Sequence, residues 1–155
     1  MQIQPLDPHS AAAMSLLAQS DAYMAALYPG ESNHLADPDA LAQPKVRFIG
    51  VWLAEWLAGC AAVKVVEDGD GAYGEIKRMF VQPQFRGRGL SKVLMEELES
   101  HLRAQGIGLA RLETGVHQPE ALKLYETLGY GRREPFGNYA DDPLSVFMEK
   151  RLTAN

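Results

Sequence analysis

The run Arg86-Gly87-Arg88-Gly89-Leu90-Ser91 holds the residues best suited to chemistry. Glycines let a backbone approach a ligand closely, and the first N–H groups of a following helix have no internal partners. The helix dipole and two guanidinium groups add positive charge, so the segment suits a phosphate or pyrophosphate. Alone, it reads equally well as an ordinary strand-to-helix turn with exposed arginines. It lacks the Gly-Lys-Ser/Thr of a nucleotide-triphosphate loop, and no second parallel strand presents the acid of a dinucleotide fold. Two other stretches mix aromatics with carboxylates, a pairing that suits an ammonium group. These are Tyr28-Pro29-Gly30-Glu31-Ser32-Asn33-His34 and Phe136-Gly137-Asn138-Tyr139-Ala140-Asp141-Asp142. Each also reads as a polar surface loop.

The elements around these residues follow from periodicity and punctuation. Gln2 to Leu6 alternates as an edge strand. Ser10 is placed to cap a helix to about Leu27, with Met14, Leu17, Ala18 and Ala22 on its apolar face. Pro38 breaks the polar stretch that follows, with a short helix near Asp39 to Ala42. Val46 to Leu53 and Trp56 to Val66 make a hairpin across Ala54-Glu55, and Tyr73 to Val81 adds a third strand after Asp68-Gly69-Asp70-Gly71. Leu90, Leu94, Leu98 and Leu102 mark a helix from Gly89 to Gln105. Leu109 to Val116 is a strand with Leu112, Thr114 and Val116 on one face, and Pro119 opens a helix that Gly129 ends. Leu144 to Leu152 is the last strand. The expectation is an α/β (α+β) domain over 1–155, a mixed and mostly antiparallel sheet of about six or seven strands flanked by about four helices.

Bulk properties narrow the classes further. A chain of 155 residues is about one domain. Apolar runs are interrupted by Glu55 or Lys64 before the ~18 residues a membrane helix needs. Asp7 and His9 stand where a signal peptide would be apolar. Cys60 is the single cysteine, which excludes a disulfide framework and a cysteine zinc site, so a cytoplasmic location without a metal is expected. Cys60 lies in an apolar strand and reads as a core thiol. The net charge of −5 argues against a basic nucleic-acid domain and suits a cationic small molecule or basic peptide.

Taken in order, Val81-Gln82-Pro83, Phe85 to Leu90, and Gln118-Pro119-Glu120-Ala121 through Leu124-Tyr125-Glu126 to Leu128-Gly129-Tyr130 resemble the GNAT family of acetyl-CoA-dependent N-acyltransferases, in its single-domain bacterial form. The first part is similar to that family's Gln/Arg-x-x-Gly-x-Gly/Ala loop, the second to its Asn-x-x-Ala…Leu-Tyr-Glu…Gly-Phe/Tyr helix. Two departures stand out: Ser91 replaces the loop's usual Gly or Ala, and Gln118 replaces Asn.

The resemblance implies acetyl-CoA as cofactor and a direct attack by an amine on its thioester. The loop N–H groups of Gly87, Arg88, Gly89, Leu90 and Ser91 would take the pyrophosphate, beside Arg86. Backbone from Met79 through Phe80 to Val81 would pair with the pantetheine arm, Val81 N–H would serve the oxyanion, and Gln118 and Ala121 would flank the cofactor. Tyr125 is the implied acid for the thiolate, and Glu75 is the implied base, with Glu113, His117 or water as rivals. Tyr28, Glu31, Ser32, His34, Glu113 and Tyr139 are the acceptor-site candidates, with the Tyr139 loop near the opposite rim. Arginines at the loop and acids at Glu31, Glu75, Glu113, Asp141 and Asp142 would place an anionic cofactor at one end and a cationic acceptor at the other. The acceptor is expected to be a small-molecule or peptide amine, with no nucleic acid or membrane partner and a homodimer left open. The alternative is a non-catalytic acetyl-CoA-binding sensor.

Overall fold

A computed structural model describes residues 1–32, 35–69 and 71–153. Its centre is the hairpin of β2 (Val46–Leu53) and β3 (Trp56–Asp68), whose two-residue turn places Ala54 at φ +53°. Strand β1 (Gln2–Pro5) pairs antiparallel with β2 at one edge, and β4 (Gly71–Val81) pairs antiparallel with β3. Strand β5 (Leu109–Gly115) then runs parallel to β4, and β7 (Ser145–Arg151) pairs antiparallel with β5. The seventh strand, β6 (Gly131–Arg133), closes the far edge, giving the order β1-β2-β3-β4-β5-β7-β6.

Helices cover both faces of this sheet, which is why β3 reads as a nearly continuous apolar run. On one face α3 (Leu90–Ala104) buries Leu94, Met95, Leu98 and Leu102 against Ile49, Val51, Ala61 and Val63, and α4 (Pro119–Thr127) adds Tyr125. On the other, α1 (Ala11–Leu27) packs Ala13, Leu16 and Leu17 against Phe48, Cys60, Ala62 and Phe80. The short α2 (Pro38–Leu41) contributes Leu41 to that layer. Beside it Tyr73, Phe136 and Phe147 form an aromatic cluster under the loop that leads to β7.

Four details depart from expectation. The buried stripe of α1 is Ala13, Leu16, Leu17 and Ser20, whereas Met14, Ala18 and Ala22 are exposed. So many small residues in α1 leave little contrast between faces from which to read an orientation. Pro38 opens α2 at its first turn, and Asp37 caps it by accepting from the Ala40 N–H at 2.8 Å. Strand β5 stops at Gly115, leaving Val116 exposed. Strand β6, Gly-Arg-Arg, has no apolar alternation; it is held by β7 and by Arg133 donating to Glu149 at 2.6 Å.

Candidate active site

The site grows from a failure of pairing. Strands β4 and β5 are in register only from Gly74 to Ile76, opposite Ala110 to Leu112, although both continue further. Beyond Ile76 they diverge. The Gln82 N–H donates to the Ala58 carbonyl at 2.8 Å, so by alternation the N–H and C=O of Val81 face away from β3, toward the gap. The Val81 carbonyl is taken by Arg86 Nε at 3.0 Å, which ties the following loop back to the strand. Its N–H is oriented for a ligand.

That loop opens α3. Gly87 and Gly89 sit at φ +81° and +75°, and a Cβ on either would meet nothing within 4 Å. Glycine is thus needed there for backbone conformation, while the space above stays clear. Gly89 is the N-cap of α3 and supplies no side-chain bond to the helix's first N–H groups. A cleft of about 530 Å³ lies against this end, lined by Met79, Phe80, Val81, Arg86, Gly87, Gly89, Leu90, Ser91, Gln118, Ala121 and Tyr125 among others. These come from the strand end, the loop and α4, the three segments expected to meet. An anionic headgroup fits the uncapped helix end, and an extended arm fits the free strand edge. Arg88 is outside the lining and lies over the Phe85 ring at 5.7 Å, and the Arg86 guanidinium stacks over Tyr23 and Phe80. The positive character of the cleft comes from Arg86 in its lining and from the first backbone N–H groups of α3.

A smaller chamber continues from the cleft into the gap between β4 and β5. Glu113, Thr114, Lys77, Arg78, Tyr139, Gln118 and Tyr125 line it, with Ser20 and Met24 of α1. Tyr125 is buried and borders both spaces. Burial, and then the charge of Glu113, hold its phenol well above the ordinary value, so it stays protonated. Burial also raises the Glu113 carboxyl from 4.5 to about 7, against a lowering hydrogen bond from Ser145. A carboxylate poised there is suited to take a proton near neutral pH.

The other candidates separate. Glu75 is buried, accepts from the Tyr139 hydroxyl at 2.6 Å, pairs with Lys77 at 3.2 Å and does not line the chamber. His117 is exposed, its ring stacked on Tyr28 with centroids 5.3 Å apart. Tyr28 is a buried brace: its hydroxyl donates to Gln118 Oε1 at 3.2 Å and accepts from the His117 N–H at 3.1 Å. A Cβ on Gly115 would overlap this phenol. Ser32 donates to Asp142 Oδ2 at 2.7 Å, so the two polar loops meet and do not occupy opposite rims. Glu31 is exposed and lines neither space, and His34 is outside the described residues. Cys60 is fully buried, with its thiol pushed up to about 12 chiefly by burial, which makes it inert. Among the described residues, no three His, Cys, Asp or Glu side chains converge as a metal site.

Sequence reasoning passed over Ser20, Tyr23 and Met24, which α1 aims at the cleft, and the pair Lys77-Arg78. Two adjacent charges inside a strand were the available signal for the latter, because a regular strand would send them to opposite faces.

Known proteins resemble this chain in sequence and in fold. The model described as the acetyltransferase (GNAT) family matches residues 14–130. An IAA acetyltransferase of Azospirillum brasilense is 45% identical over 145 residues, covering 94% of each chain. A solved protein of Klebsiella pneumoniae, proposed to be an acyl-CoA N-acyltransferase, superposes with a TM-score of 0.80 at 35% identity, covering 98% of this chain and 97% of its own. PaiA N-acetyltransferase of Thermoplasma acidophilum, solved with coenzyme A, shares the fold with a TM-score of 0.68 at 17% identity, covering 97% and 99%.

Proposed function

The chain belongs to the GNAT acetyltransferase family, and from that premise we propose that it moves an acetyl group from acetyl-CoA directly to a primary amine of a small molecule or peptide, with Tyr125 as acid and Glu113 as base. The carrying observation is that Tyr125 and Glu113 line one chamber where the cofactor cleft enters the β4–β5 gap. Acetyl-CoA would supply the activated thioester.

The chain's own residues supply the rest. The first N–H groups of α3, beyond Gly89, would hold the pyrophosphate, and the Met79–Val81 edge would align the arm. Val81 N–H is oriented toward the gap, where a donor stabilises developing negative charge. An alkylammonium has a pKa near 10, so it must lose a proton before it can attack. Glu113 accepts that proton, directly or through a water, when it is itself ionised. The Tyr125 phenol, protonated across the working range, donates to the departing sulfur. Glu75 instead holds Tyr139 and Lys77 in place, and His117 remains outside.

The test is thiol release from acetyl-CoA with a panel of primary amines, in single-turnover mode. Tyr125→Phe is expected to lower the rate by roughly ten-fold or more with CoA affinity retained. Glu113→Gln is expected to lose rate at neutral pH and regain part of it at high pH, where the amine is already neutral. Unchanged single-turnover rates in either variant remove that residue from its role.

A further inference from the structure

Arg78 stands in the wall of the chamber in an unusual state. The β3–β4 register shifts between Cys60 and Ala62, and in the resulting bulge Arg78 adopts φ +58°, a conformation long side chains rarely take. The bulge turns the arginine out of the ladder's alternation and under α1. Its side chain is 2% exposed, yet among the described residues its ion pairing is a single contact, Nη1 to Asp21 at 2.7 Å, and Asp21 is itself 55% exposed. Nε is buried with no hydrogen-bond partner among the described residues. A guanidinium carries five N–H donors in a planar fork, and here the Nη1 contact to a half-solvated carboxylate leaves Nε buried and unmatched. Desolvating such a cation so incompletely paired is costly unless something else meets it.

Its position says what that could be. Arg78 and Leu35 are shared between the chamber that holds Tyr125 and Glu113 and a neighbouring groove lined by Met14, Leu17, Ala18 and Asp21. The other cation of the chamber, Lys77, is already paired with Glu75 and donates to Tyr139. Of the acids expected to receive a cationic acceptor, Glu31, Glu75, Glu113, Asp141 and Asp142, only Glu113 lines the chamber. It presents one acid, Glu113, for an amine, and one under-paired guanidinium beside it.

We propose that Arg78 anchors a carboxylate of the acceptor, so that the substrate is an amine that also bears a carboxylate, its amino group directed toward Glu113. This rests on the acetyl-transfer reading above for the meaning of "acceptor", but not for the binding itself. A carboxylate offers the planar pair of oxygens that a guanidinium fork fits, and it would share or replace Asp21 as the partner. An uncharged amide of the same shape cannot.

The test is calorimetric titration of CoA-loaded protein with α-amino acids and with ω-amino acids of two to six carbons, each beside its carboxamide. At least one free acid is expected to bind ten-fold or more tightly than its amide. Arg78→Gln should erase that gap with CoA affinity unchanged, because Arg78 does not line the cofactor cleft. Asp21→Asn should widen it by removing the competing carboxylate, which keeps the question answerable if Arg78→Gln fails to fold. Wild-type protein that binds no acid better than its amide overturns the proposal. So does a gap that survives Arg78→Gln or narrows in Asp21→Asn. Absence of thiol release with every amine, while the gap holds, would defeat acetyl transfer and leave the carboxylate site standing.

Discussion

Replacing Glu113 by glutamine should make the folded protein more stable, and only above mildly acidic pH. Burial raises this carboxyl from its ordinary 4.5 to about 7. Between those values the unfolded chain releases the proton and the folded chain keeps it, so stability falls as pH rises through the window. Above about 7 both states are ionised and the full cost of a charged carboxylate in the chamber is present. A gap of that size corresponds to about 3 kcal/mol. Glutamine keeps the shape and an acceptor oxygen for Ser145 but never ionises. Urea denaturation of both proteins at pH 4, 6 and 8 is the assay, read as the difference between them so that every other titrating group cancels. The expected difference is close to zero at pH 4, intermediate at pH 6, and about 3 kcal/mol in favour of glutamine at pH 8. A constant difference across pH, or a glutamine variant less stable at pH 8, would show that Glu113 is not strained by burial. Glu113 would then have no raised pKa to make it a base near neutrality.

The same carboxyl should give kcat/KM an inflection near pH 7, with activity falling below it; in Glu113→Gln that inflection is lost and activity climbs instead toward the pKa of the acceptor amine, near 10. Gly115→Ala drives a methyl into the Tyr28 phenol and should cost about 1–3 kcal/mol by thermal denaturation; Gly115→Ala combined with Tyr28→Ala should recover part of it. Gly87→Ala and Gly89→Ala together force side chains into left-handed backbone and should weaken CoA ten-fold or more in equilibrium titration, with near-native circular dichroism. Glu99→Ala removes the carboxylate that accepts from Tyr130 at 2.9 Å and from Lys150 at 2.8 Å. The expected loss is about 3 kcal/mol in urea, the low end for a broken buried pair because Lys150 is 23% exposed.

What was legible in the chain was whatever is written locally. Ser10 starts α1 through its hydroxyl and Gly89 starts α3 through its left-handed backbone, the Leu90–Leu102 spacing gives α3 its face, and Ala54-Glu55 leaves room for only a tight hairpin. The cleft was legible for the same reason, since a loop and two flanking segments at fixed separation must converge when β4, α3 and α4 fold. Non-local features were not. The bulge that turns Arg78 inward is a property of the register between β3 and β4, and neither strand shows it alone. The choice of Glu113 over Glu75 depends on which side of the diverging strands each carboxylate faces and on Tyr139 reaching across from a distant loop. Strand β6 exists only because β7 offers an edge and Glu149 a counter-charge. The inward face of α1 is not legible in the chain because alanines pack or face water with nearly equal ease.

The short seam between β4 and β5 has a consequence for how long the protein survives. Three register positions join the two halves of the sheet, and beyond them β4 presents an edge along which an extended ligand can pair. A molecule paired along that edge acts as a removable strand, and its binding energy adds to the energy of folding. At a concentration one hundred times its Kd, such a ligand contributes about 2.7 kcal/mol to stability. For the proposed acyl-CoA donor, the balance between intact and opened sheet would track its supply, and a protease sampling the opened form would clear the protein faster when it runs low.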